Sequence, residues 1–385
     1  MKTILIIYDY FDPAYKAGGI LRSLVNLVRN FNAQWQFKII TSDKDLGDTT
    51  PLPGISANQW QDYGPNTSVI YLSSAQTGYR RFKAMLASVT ADVWYIQGVY
   101  SLRFVLFPLL IARTLSKKPL VIIAPRGMLQ KGALSVKPLK KKVYLQTFRL
   151  LQLHKGVRWH ATDAQETRDI CSVFGPDADV VFATDTPDLK PGHWQPIRKE
   201  PNSLRLVMIS LITEKKNILA TLRALKTLQN EVNVTYDIYG PVKDATYWQA
   251  CEQEINSLGP TIQVNYHGDI LPAQVPDILQ QYHFFILPSL GENFGHAIYE
   301  SLKVGRPVII SDKTPWRDLQ LSQAGWDVDL SNPTALPNAI RQAFAMDQSV
   351  YDCYCEGARQ VAATFVEKSD FLRQYQQLFA VENRL

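Results

Sequence analysis

Cysteine is scarce in this chain: four in 385 residues, at Cys171, Cys251, Cys353 and Cys355. None has zinc-ligand spacing, and so few thiols make no disulfide framework. Long apolar runs are missing too. The best candidate, Phe104 to Ala112, is broken by Pro108 and followed by Arg113, well short of the ~20 residues a membrane span needs. Neither sign of charge dominates, with 41 Lys and Arg against 35 Asp and Glu, a net +6. No basic run is interleaved with aromatics, which argues against nucleic acid as a partner. Met1-Lys-Thr-Ile-Leu-Ile-Ile-Tyr-Asp9 reaches an acid too early for a signal peptide and reads as a first core strand. Asn66-Thr-Ser and Asn233-Val-Thr match glycosylation acceptors, but carry little meaning without a secretory signal. The expected location is cytoplasmic.

What is present is an ordinary globular composition, 46% hydrophobic and 20% charged, in a chain long enough for two domains. Strand and helix signals alternate in both halves, which predicts parallel sheets with helices on both faces. In the first half the strands are Thr3 to Tyr8, Phe37 to Thr41, Val69 to Leu72, Val93 to Ile96, Leu120 to Ala124, Val157 to Thr162 and Val180 to Phe182. A proline-rich polar stretch from Asp185 to Ser203 reads as a linker. A second alternation then begins at Leu204. The expected domains are 1–186 and 203–365, followed by a terminal helix over 366–385.

The densest signal lies near residue 290. Phe284-Phe-Ile-Leu287 is a buried strand, ended by Pro288 and Ser289. Gly291 and Gly295 bracket a loop. A helix starts near Phe294 to His296 and runs to about Val304, where Gly305 fits the C′ position and Pro307 follows. The helix start favours an anion such as a diphosphate. Glu300, one to two turns in, can accept from a ribose diol, and Glu292, just before the helix, can meet hydroxyls at the other end of a ligand.

This stretch, Pro-Ser-x-x-Glu-x-Phe-Gly-x-x-x-x-Glu-x-x-x-x-Gly-x-Pro-Val, resembles the signature of the group 1 family of retaining glycosyltransferases. The resemblance implies a GT-B fold: two Rossmann-like domains facing across a cleft, the first for the acceptor and the second for the nucleotide sugar, with the terminal helix over 366–385 crossing back to the first. It implies that Glu300 binds the donor ribose and Glu292 the donor sugar. Backbone at Phe294 and Gly295, with Asn293 beside them, would hold phosphate.

Other positions carry the same resemblance. Gly18-Gly19, between the first strand and helix, sits where the family's glycine loop faces the diphosphate. Lys215 and Lys216 precede a helix in Ile209-Ser-Leu-Ile-Thr-Glu-Lys-Lys-Asn217, a loop similar to the family's Arg-x-x-x-x-Lys clamp. Lys216 matches the lysine, but Leu211 stands in the arginine place. A leaving diphosphate gains charge, so the missing guanidinium should weaken catalysis unless Lys215 or Arg126 replaces it. Arg126, in Pro125-Arg-Gly-Met128, occupies the place where many members have a histidine; it either meets phosphate or an acidic acceptor or makes a structural salt bridge. Glu166 matches a carboxylate common at a helix start. Gly268 to Ile270 match a turn whose backbone meets the base. Trp316 lines the cleft or packs in the core.

Asp43-Lys-Asp45 looks like the metal motif of another transferase fold, but lies in a chain whose other signals point to GT-B, so no metal is expected. The basic run Lys137 to Lys142, with Arg149, Lys155 and Arg158, suits anionic lipid or an acidic glycan acceptor. The expected function is metal-independent transfer of a hexosyl group, with retention, to a glycan or lipid-linked acceptor. The nucleotide-diphosphate sugar is the donor, no cofactor is needed, and a peripheral contact with an anionic membrane surface is a candidate. The candidate catalytic residues are Glu292, Lys216 and Arg126. The alternatives are a sugar-nucleotide epimerase or phosphorylase, and a non-catalytic nucleotide-sugar-binding protein, which Leu211 motivates.

Overall fold

The computed structural model describes residues 1–135, 137–200 and 202–381. They form two units: Met1–Leu189 joined by the chain from Asp370 on, and Lys190–Ser369. In the first, an eight-stranded sheet has the order β3-β4-β2-β1-β5-β6-β7-β8. Its strands are β1 (Thr3–Ile7), β2 (Gln36–Ser42), β3 (Trp60–Gly64), β4 (Thr67–Leu72), β5 (Val93–Gln97), β6 (Leu120–Ala124), β7 (Val157–Ala161) and β8 (Asp179–Phe182). All pairings are parallel except β3 with β4. The second unit holds a six-stranded parallel sheet, ordered β11-β10-β9-β12-β13-β14. These strands are β9 (Leu204–Ile209), β10 (Val234–Tyr239), β11 (Ile262–Tyr266), β12 (Phe284–Leu287), β13 (Val308–Ser311) and β14 (Gly325–Val328).

The strands form where apolar runs allow burial on both faces. β12 and β13 are buried at every residue. The first helix, Gly19–Phe31, buries Leu21, Leu24, Val25, Leu27, Val28 and Phe31 on one stripe. Gly240 lies so close to Ser210 that an added Cβ would sit 1.9 Å from the Ser210 carbonyl oxygen. That approach holds the loops after β9 and β10 together.

Two expectations about the chain path change. The stretch after Leu189 is not a loose linker but a strap on the second unit. The Arg359 guanidinium lies 4.7 Å from the Trp194 ring centre. Arg306 donates to the Gln195 carbonyl at 2.7 Å, and buried Lys199 donates to the Phe344 carbonyl at 3.1 Å. The terminal helix expected from Val366 is two helices, Gln348–Lys368 and Phe371–Leu378. Asp370 caps the second through the Arg373 amide, a local bond that competes with helix continuation. The second helix packs on the first unit: Phe379 meets Trp35 and Tyr95 edge-on, and Lys2 donates to the Phe379 carbonyl at 2.7 Å.

Candidate functional site

In the second sheet the strand order reverses between β9 and β12. Loops leaving the carboxyl ends of two such strands diverge and open a crevice, the usual ligand position in open parallel sheets. Here those loops are 210–217 and 288–295. They are tied to each other through backbone. The Leu290 amide and the Ser289 hydroxyl both donate to the Lys215 carbonyl, at 2.8 and 3.1 Å. Asn217, in the left-handed region at φ 58°, donates from Nδ2 to the Pro288 carbonyl at 3.1 Å. From the next strand, the Ser311 hydroxyl donates to the Ser289 carbonyl and the Lys313 carbonyl accepts the Glu292 amide at 3.2 Å.

That frame brings Lys216 Nζ to 2.6 Å from Glu292 Oε1. Burial raises the pKa of the Glu292 carboxyl, but the Lys216 charge and hydrogen bond, with Ser289 and Lys215, outweigh it and leave the group below its ordinary value. Lys215 keeps exposed surface, while desolvation of its ammonium lowers its pKa despite the attraction of Glu292. Its Cε lies 3.9 Å from where a Cβ on Gly291 would stand. Leu211 presents no charge, so two lysines supply the cations of this loop.

The following helix is His296–Lys303 with Gly295 as its N-cap at φ 80°. The first intrahelical donors are Ile298 and Tyr299, both to the Gly295 carbonyl. The amides of the first turn therefore precede any intrahelical acceptor. Phe294 is buried in an aromatic cluster with Tyr299, Trp316 and Phe365. Its carbonyl accepts from Trp316 Nε1 at 2.7 Å. Trp316 is thus a core residue that fixes the entry to the helix, and the Phe294 carbonyl is occupied. Glu300 is half-buried in the second turn of the same helix. Gly268, at φ 75°, follows β11, and its carbonyl accepts the Gly240 amide at 2.7 Å. Ile270 packs against the core of this unit.

One end of one sheet therefore gathers Lys215, Lys216, Gly268, Ile270, Glu292, Asn293, Phe294, Gly295 and Glu300. Gly18, Gly19 and Arg126 belong to the first unit. Gly18 precedes the helix Gly19–Phe31 with φ 76°. Ser289 and Asn217 carry no site role in the sequence reading. Their signals were a serine after a strand and a polar residue before an apolar helix.

Of the two places open to Arg126, the side chain takes the salt bridge. Its side chain is 3% exposed and paired with Asp185. It also donates to Gln97 and to the Tyr95 hydroxyl, each at 2.9 Å. Burial opposes its charge, but Asp185 outweighs burial and raises the pKa. Its Nε, Nη1 and Nη2 each donate within this network, which places it as a structural cation rather than a group at liberty to meet phosphate. Replacing it with methionine strands Asp185 as a buried unpaired charge. Arg126→Met is expected to destabilise the first unit by about 3 kcal/mol, read by urea unfolding. An unchanged midpoint would contradict the assignment.

Glu166 is structural as well: it accepts from the Gly127 and Thr162 amides at 2.6 and 2.9 Å. Asp45 spends its carboxylate on the amides of Tyr15, Lys16 and Leu46, holding the loop ahead of Gly18. Among the described residues no group of three His, Cys, Asp or Glu side chains is arranged to hold a metal ion.

Comparison with known proteins agrees with this layout. Residues 194–359 match the family Glycosyl transferases group 1. Sucrose-phosphate synthase from Thermosynechococcus elongatus superposes with a TM-score of 0.71 at 17% identity, covering 99% of this chain and 100% of that one. Anabaena HepE, solved with UDP and glucose, gives 0.68 at 14%, covering 98% of each chain. WaaG, a glycosyltransferase involved in lipopolysaccharide biosynthesis, gives 0.59 at 14%, again covering 98% of each. A search of curated proteins finds no sequence match. The chain has the GT-B fold of two Rossmann-like units, and its second unit carries the group 1 glycosyl transferase match.

Proposed function

We propose that this protein is a retaining glycosyltransferase that moves a hexosyl group from a nucleotide-diphosphate sugar to an acceptor hydroxyl, without a metal ion. The observation that carries the reading is the Lys216–Glu292 pair, held by two interlocked loops where the second sheet reverses its strand order. The family match over residues 194–359 and the UDP bound to HepE support it. In this reading the diphosphate lies on the first turn of the helix His296–Lys303, Glu300 accepts from the ribose, and backbone at Gly268 to Ile270 meets the base. Lys216 releases part of its bond to Glu292 when the diphosphate arrives. Lys215 supplies the charge that Leu211 does not.

Transfer then rests on positioning and charge stabilisation. The bond from the anomeric carbon to the phosphate oxygen breaks, the acceptor hydroxyl oxygen attacks that carbon on the same face, and the departing phosphate oxygen takes the hydroxyl proton. Lys215, Lys216 and the helix start stabilise the charge left on the diphosphate. We assign the acceptor to the first unit. Its sheet also reverses order, between β1 and β5. Asp9 and Ser101, bonded at 2.9 Å, stand at the carboxyl ends of those strands. Burial raises the Asp9 carboxyl above its ordinary pKa, as suits a group that meets a hydroxyl. A polysaccharide or lipid-linked acceptor, and a cytoplasmic site of action at the inner membrane face, complete the reading. The involvement of WaaG in lipopolysaccharide biosynthesis supports the glycan class.

The ribose assignment has its own test. A lost hydrogen bond to a charged group should weaken binding about 10- to 100-fold. Glu300→Ala is therefore expected to lower affinity for a ribonucleoside-diphosphate sugar by that factor and to abolish any preference over its deoxyribose counterpart. A variant that binds both as the wild type does would remove Glu300 from the site.

A further inference from the structure

The charge of this chain is unevenly placed. Between Asp62 and Asp163 it has sixteen Lys and Arg and a single acid, Asp92, while the other 285 residues hold 25 Lys and Arg and 34 Asp and Glu. The lone acid is occupied, accepting the Thr3 amide at 2.9 Å. The whole basic segment lies in the first unit. Much of its charge is solvent-facing: Arg103, Arg113, Lys118, Lys140, Lys142 and Arg149 are all exposed.

The helix Pro138–Leu150 adds a second, independent feature. Its inner face is anchored: Phe148 is buried, and the Tyr144 hydroxyl donates to the Val99 carbonyl at 2.7 Å. Its outer face is apolar. Leu139, Val143 and Leu150 are 79%, 61% and 82% exposed. Their spacings of four and seven residues put them on one stripe. Lys140, Lys142 and Arg149 flank that stripe. A helix with an apolar ridge and basic shoulders, in a stretch of chain whose only acid is Asp92, matches an anionic bilayer, where side chains of the first kind enter the acyl boundary and those of the second meet headgroups. A polyanion such as nucleic acid or an acidic glycan would use the cations but leave the leucines unrewarded. A second copy of the chain would bring like charge against like.

We infer that the outer face of the helix Pro138–Leu150, with the Lys140, Lys142 and Arg149 side chains that flank it, docks the protein on an anionic lipid bilayer. The assignment stands on the first unit alone and does not depend on the donor reading of the second.

The experiment is co-sedimentation of the full chain with vesicles of phosphatidylcholine alone or with about a third phosphatidylglycerol, at low and high salt. Binding is expected only to the anionic vesicles and is expected to fall as salt rises. Lys140→Glu and Lys142→Glu should each weaken it by about 5-fold or more. Leu139→Ser combined with Leu150→Ser should weaken it by at least ~10-fold with no change in net charge. Circular dichroism and urea unfolding of each variant confirm that the units remain folded. Equal binding of the leucine variant and the wild type would overturn the docking face. Absence of vesicle binding, with heparin retention that the leucine changes leave intact, would overturn the bilayer in favour of an acidic polymer.

Discussion

Lys216→Met lowers the rate of sugar transfer by about 10²- to 10³-fold, the range seen when one group stabilising a developing charge is removed. The expectation follows from where the ammonium stands. It lies on the crevice between the loops after β9 and β12, 2.6 Å from Glu292, and no arginine occupies position 211 to share its work. The loss should fall mainly on turnover, because the diphosphate bears more charge after the anomeric bond breaks than before. Lys216→Met also leaves Glu292 without its closest partner. That carboxylate is held below its ordinary pKa chiefly by Lys216 against the effect of burial, so in the variant it should titrate at higher pH. A pH–rate profile whose acidic limb moves upward in Lys216→Met is therefore part of the prediction. Lys216→Arg should recover part of the rate, since a guanidinium keeps the charge. A methionine variant with wild-type turnover and an unmoved acidic limb would remove Lys216 from the chemistry.

Acid should unfold this protein through two buried histidines, one in each unit. His160 and His283 are 0% and 2% exposed. His160 Nε2 donates to the Ala183 carbonyl at 2.6 Å, and its Nδ1 accepts from the Tyr95 hydroxyl at 2.7 Å. His283 Nδ1 accepts the Arg205 amide at 3.0 Å, and its Nε2 donates to the Arg198 carbonyl at 3.1 Å. Both rings are thus fixed as the neutral form with the proton on Nε2, and a second proton has no acceptor. Burial lowers each pKa to about 3, helped at His160 by the Arg126 charge. An unfolded chain takes up these protons near the ordinary value of about 6.5. Between pH 6.5 and 3 the unfolded state binds more protons than the native state, so stability falls as pH falls through that window. Each histidine can withdraw up to about 4 kcal/mol by pH 3. Urea unfolding at stepped pH measures this. His160→Gln and His283→Gln should be less stable than the wild type at pH 7, having lost fitted hydrogen bonds, and should show a shallower decline below pH 6. Parallel declines in wild type and variants would contradict the account.

Much of the fold could be read from the sequence because its punctuation is local. Phe284 to Leu287, Gly305 and Pro307 mark a buried strand and a helix stop within a few residues, and the observed β12 and His296–Lys303 follow them. The edge strand β3 escaped notice because Trp60–Gly64 is short and carries no apolar run. The helix Pro138–Leu150 escaped it too, because its apolar residues point both ways and only Phe148 is fully buried. The candidate site could be proposed from sequence where one contiguous motif carries it, at Glu292 to Glu300. The rest depends on distant pairings. Ser289 matters through Lys215 and Ser311, Asn217 through Pro288, and Arg126 is set by Asp185, 59 residues away. No spacing in the chain announces such contacts.

The central claim is that the second unit binds a nucleotide-diphosphate sugar between the loops after β9 and β12. Isothermal titration of the wild type with UDP, GDP and ADP sugars tests it most directly, with Glu300→Ala and Lys216→Met run beside it. The account predicts saturable binding of at least one of them, weakened about 10- to 100-fold by Glu300→Ala and to a smaller degree by Lys216→Met, whose main loss is in turnover. A flat titration across all three, or binding that neither substitution alters, would contradict it.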